Sequence, residues 1–130
     1  MYIRFAQYER APGPRVAPGL FHAFHRLPPH DPGDWRHREI SRVYAWFNDR
    51  LAFPDVLSAR MSRFGHRRGV CWFRDEARAH VSEARYLAWL LGEVGVPIRE
   101  LRASNPGVLI WEDTEQIVAV PEPHADVTIH

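Results

Sequence analysis

The chain has 130 residues, of which 45% are hydrophobic and 25% are charged, and its net charge is +1. This composition predicts one domain with one core, and no apolar run approaches the roughly 18 residues that a membrane span needs. All 17 residues counted as Lys or Arg are arginines, which excludes lysine Schiff-base chemistry and the lysine of a P-loop. One cysteine excludes an internal disulfide. With no signal-peptide pattern in the first ten residues, we expect a cytoplasmic protein.

The charge is spread unevenly along the chain. Residues 60–78 hold six arginines against two acids, a net +4, whereas residues 93–130 hold two arginines against seven acids, a net −5. This pattern predicts two faces of opposite sign if the fold keeps the two segments apart.

The N-terminal part of the chain predicts one strand and two helices. Residues 2–7 alternate in the way of a strand, and residues 20–27 carry apolar side chains at helical spacing before two prolines. Residues 35–51 carry a continuous apolar stripe with a period of 3.6 residues, which predicts a longer helix. Asp31 or Asp34 is available as its N-cap.

The middle of the chain predicts a buried strand followed by a helix. Residues 52–69 look irregular, with at most a helical turn near residues 56–61. Residues 70–73 are apolar on both faces, which is typical of an interior strand. Asp75 is a natural N-cap for the next helix, and Gly95 ends that helix.

The C-terminal part predicts three strands joined by short turns. They cover residues 97–102, 108–111 and 116–120, and Asn-Pro-Gly at 105–107 is a specific turn signal. The tail, residues 122–130, is predicted to be either disordered or an added edge strand.

The predicted order is β-α-α-β-α-β-β-β, an α/β (α+β) fold with a single mixed sheet of four to five strands and the helices packed on it. Residues 1–121 form the predicted domain. The strand–helix–strand unit at 70–102 predicts a parallel pair joined by a right-handed crossover. The last three strands predict an antiparallel meander.

Several short motifs occur in a characteristic order along the chain. They are Met1 to Phe5, Trp46-Phe47-Asn48, Trp72-Phe73-Arg74-Asp75, His80, Arg102, Pro106-Gly107, Trp111-Glu112-Asp113, Gln116 and Pro121. In these motifs the chain resembles a family of small, uncharacterised bacterial proteins. The family commonly has Lys in place of Arg74 and Ser in place of Glu76. The resemblance implies the same α/β fold, and it implies no known activity.

Four residues are weak candidates for catalysis. Cys71 has arginines nearby in sequence, yet its place between bulky apolar residues predicts a core cysteine rather than a reactive thiol. His80 is a conceivable base for it. Glu112 and Asp113 are adjacent carboxylates, which can do acid–base work but more commonly form turns.

The strand-to-helix junction is a candidate anion site. A helix N-terminus attracts anions, and Arg74, Arg78 and Arg102 are candidates to support a phosphate or carboxylate there. Asp75 is a further candidate for this anion site because it lies at the predicted helix start. The alternative is that Asp75 caps the helix and that the charge of Glu76 stabilises the same helix end.

The segment 59–69 interleaves arginines with Met61, Phe64 and His66, a pattern that grips phosphate and stacks bases. Its candidate nucleic-acid ligands are Arg60, Arg63, Arg67 and Arg68. The alternative is a solvated loop or one that pairs with the acidic C-terminal third. The eight histidines show no zinc-ligand spacing, so we expect no metal and no cofactor.

Three functional hypotheses remain open. The leading one is a non-enzymatic interaction domain that binds a protein partner or a second copy of itself, because the chain has five tryptophans and polarised charge. The alternatives are nucleic-acid binding through residues 60–78, and a small enzyme or anion-binding domain at Phe73–Asp75. No membrane partner is expected. Convergence of five side chains would favour the last alternative: Arg74, His80, Arg102, Glu112 and Asp113.

Overall fold

The computed structural model describes residues 1–8, 19–27, 31, 33–54, 69–122 and 126–130. In these ranges lie β1 (Tyr2–Gln7), α1 (Leu20–His25), α2 (Trp35–Arg50), β2 (Val70–Arg74), α3 (Arg78–Glu93), β3 (Ile98–Ala103), β4 (Val108–Glu112), β5 (Gln116–Val120) and β6 (Val127–Ile129). The predicted strands and helices are present, and the helical turn predicted near residues 56–61 lies outside the described ranges.

The described strands form one sheet in the order β4-β5-β2-β1-β3-β6, with every neighbouring pair antiparallel. The α+β class with a single sheet is confirmed, and β6 raises the strand count to six. The predicted adjacent parallel pair is wrong. β2 and β3 do run in the same direction, but β1 lies between them. The 16 residues of α3 span about 24 Å, which is long enough to carry the chain over an intervening strand.

The predicted meander is only partly present. β4 and β5 form an antiparallel hairpin, whereas β3 pairs with β1 and β6. In a flat sheet β3 and β4 would lie about 19 Å apart, at four strand spacings. The five residue steps from Ala103 to Val108 reach at most about 18 Å. The sheet therefore curls, and Gly107 passes against the backbone of Val120 at the end of β5.

Both faces of the sheet are buried. The three helices cover one face, where Ile3, Phe5 and Phe73 pack against apolar side chains of the helices. The opposite face holds a second buried cluster: Ala6, Trp72, Leu101, Ala103, Ile117 and Ala119. The prediction that residues 70–73 form an interior strand that is apolar on both faces is confirmed.

Helices α2 and α3 lie antiparallel on the sheet. The ring of Trp35, the first residue of α2, is 6.4 Å from that of Trp89 near the end of α3. At the opposite end, the ring of Trp46 is 5.0 Å from that of His80. Within the described ranges, neither helix nor α1 is long and apolar enough to cross a membrane.

The helix ends differ from the prediction at one cap. Asp34 caps α2 by accepting a hydrogen bond from the Arg36 backbone N–H at 2.9 Å, as predicted. Gly95 follows α3 with φ of 93°. Asp75, however, does not cap α3. The helix begins at Arg78 with Ala77 as the N-cap residue and no side-chain cap, because residues 75 and 76 form a separate turn after β2.

Candidate functional site

The end of β2 is tied to the β4–β5 turn by Arg74. Its Nη2 donates to Glu112 Oε2 at 2.6 Å, and its Nε donates to the Asp113 backbone carbonyl at 2.8 Å. The Arg74 backbone N–H also donates to the Glu115 carbonyl at 2.9 Å. Two guanidinium nitrogens are thus engaged by the protein itself, which reduces what Arg74 can offer to an external anion.

The carboxylate of Asp113 organises the same turn. Its Oδ1 accepts hydrogen bonds from the backbone N–H groups of Glu115 at 2.9 Å and Gln116 at 2.8 Å. An Asp side chain that bonds backbone amides two and three residues ahead is a turn former. This geometry favours the structural reading of the Glu112–Asp113 pair over acid–base catalysis.

His80 is also held by the fold. Its Nε2 lies 3.0 Å from the Arg50 carbonyl oxygen, and since a carbonyl only accepts, Nε2 carries the proton. The bond satisfies one of the unpaired carbonyls at the C-terminus of α2. The Gln116 side chain makes a similar bond two residues after Arg50, where its Nε2 donates to the Ala52 carbonyl at 2.6 Å.

The five residues whose convergence would favour a small enzyme or anion-binding domain come together only in part. Arg74, Glu112 and Asp113 are in direct contact. His80 is a neighbour of this cluster through aromatic rings, because the Phe47 ring lies 6.1 Å from His80 and 5.9 Å from Phe73.

Arg102 belongs to a different group of side chains. It lies on β3, two strands from β2, and its Nη2 donates to Glu100 Oε2 at 2.8 Å. Arg85 of α3 bonds the other oxygen of this carboxylate at 3.0 Å. Asp75 and Arg78 are exposed at the turn and at the first residue of α3. Arg102 therefore lies apart from the strand-to-helix junction, and an anion site at Arg74, Asp75 and Arg78 stays a prediction.

Cys71 lies on β2 beside Val118 of β5. Burial raises the pKa of its thiol to about 11, and the nearby Arg4 charge offsets this only in part. The thiol is therefore protonated at neutral pH, when a nucleophile would need the thiolate. The geometry supports the prediction of a core cysteine.

The remaining candidate sites are a metal site and a nucleic-acid interface. Among the described residues, no three His, Cys, Asp or Glu side chains are grouped to bind a metal ion. The arginines of the basic segment lie outside the described ranges, so nucleic-acid binding through them stays a prediction: Arg60, Arg63, Arg67 and Arg68.

One group of rings at the surface was not predicted from the sequence, two of them exposed and one half-buried, here named the aromatic patch: Trp35, Trp89 and Tyr86. Trp35 is 49% exposed and Trp89 is 52% exposed. The rings of Tyr86 and Trp89 are nearly parallel, with centroids 6.1 Å apart. A signal was present in the sequence, because Trp89 is a large aromatic residue outside the apolar stripe of this helix. That stripe comprises Ala77, Val81, Ala84, Ala88 and Leu91.

No family model, curated protein or solved structure matches this chain. The resemblance to a family of small bacterial proteins therefore stays a prediction.

Proposed function

We propose that this protein is a non-enzymatic interaction domain, and that it binds a protein partner through the aromatic patch. The observation that supports this most strongly is that two adjacent tryptophans are each about half exposed, at 49% and 52%, on the outer surface of the helix layer. Tryptophan is enriched among the residues that dominate binding energy at interfaces. A cytoplasmic location, expected from the single cysteine, is part of the proposal.

The fixed position of Tyr86 also supports the proposal. Tyr86 Oη donates to Glu39 Oε2 at 2.9 Å, and this bond links α3 to α2. Glu39 is held in turn by Arg42. A ring that is already fixed before binding, as Tyr86 is, loses little conformational entropy when a partner covers it.

The other candidate surfaces are less suited to binding. At the end of β2, Arg74, Asp113 and His80 bond the protein's own backbone. The edge strand β4 exposes Val108 and Leu109, but its pairing with β5 shifts register between Leu109 and Trp111. Such an irregularity at an edge opposes association with another strand.

The experiment compares a tagged wild-type chain with a Trp35→Ala/Trp89→Ala double variant. The matched control is Phe53→Ala, which removes a side chain that is 78% exposed beyond the other end of α2. The measurements are quantitative partner capture and the mass of the purified protein in solution. Loss of two interface tryptophans is expected to weaken binding by about 2 kcal/mol or more.

The expected result is a partner that the wild type and the control retain and the double variant loses. A partner retained equally by all three proteins would refute the proposal, as would a strict monomer that captures nothing. A self-associating wild type would identify the partner as a second copy, provided that the double variant is monomeric.

A further inference from the structure

We draw no further inference here: the strongest candidate, the aromatic patch on the outer surface of the helix layer, belongs to the surface already described, and because the arginines and acids around it balance, nothing in the described ranges shows what covers it.

Discussion

Replacing Gly107 with alanine should destabilise the fold strongly. Gly107 has φ of 132°, and a Cβ there would lie 2.8 Å from the Val120 carbonyl carbon and 3.0 Å from Pro121 Cα. An unfavourable backbone conformation costs about 1–3 kcal/mol. Displacing backbone that is already packed costs about 1–3 kcal/mol more. We therefore expect a loss of about 2–6 kcal/mol, a large part of the 5–15 kcal/mol that stabilises a typical domain.

Two other glycines separate these contributions. Gly95 has φ of 93° but nothing within 4 Å of an added Cβ, so Gly95→Ala should cost only the conformational term, about 1–2 kcal/mol. Gly92 lies within α3 and is equally uncrowded. Gly92→Ala should therefore stabilise the protein by about 0.5–1 kcal/mol.

Urea unfolding monitored by tryptophan fluorescence measures all three free energies. The expected order of stability is Gly92→Ala, then Gly95→Ala, then Gly107→Ala. A Gly107 variant no less stable than the Gly95 variant would refute the close passage of the β3–β4 connection against β5. The register that pairs Val108 with Val120 and brings Gly107 against β5 would then be wrong.

Further predictions concern three titratable groups. Hydrogen bonds from Arg36 lower the pKa of Asp34 from 3.8 to about 2. The ionised Asp34 carboxylate therefore stabilises the folded state fully above pH 4, and this stabilisation is lost as the pH falls toward 2. The stability difference between wild type and Asp34→Asn in urea should accordingly shrink from pH 6 to pH 3, and a constant difference would contradict this. Iodoacetamide should label Cys71 about 100-fold more slowly in the native than in the urea-unfolded protein, because its pKa is raised from 9.0 to about 11; similar rates would contradict the burial of the thiol. His80→Ala should cost about 0.5–1.5 kcal/mol in urea unfolding, since the Arg50 carbonyl loses its donor, whereas His80→Gln keeps an amide donor and should cost less.

The secondary structure was predictable because it depends on local patterns. The alternation of residues 2–7 and the helical stripe of α2 are set by neighbouring residues, and both elements have the predicted bounds within one residue. Strand order depends on distant parts of the chain. Nothing local in β1 indicates that it inserts between β2 and β3, and the turn at 105–107 gives no sign that the next strand pairs elsewhere.

The candidate site was predictable to a similar extent. Arg74 was identified from its place at the end of a strand. Its contacts with Glu112 and Asp113 join residues 38 and 39 positions away, which sequence spacing does not reveal. The cap predicted at Asp75 failed because Glu76 and Ala77 lie between it and Arg78, the first residue of the helix. Trp89, in contrast, was recognisable as an aromatic residue on the polar side of α3.

Site-specific photocrosslinking gives the most direct test of whether a partner covers the aromatic patch. The photoreactive residue benzoylphenylalanine replaces Trp89 in one protein and Phe53 in another, and both are irradiated in cells. We expect a crosslinked product of defined mass from position 89 and none from position 53, because the partner covers the aromatic patch. No product from position 89, or the same product from both positions, would contradict the account.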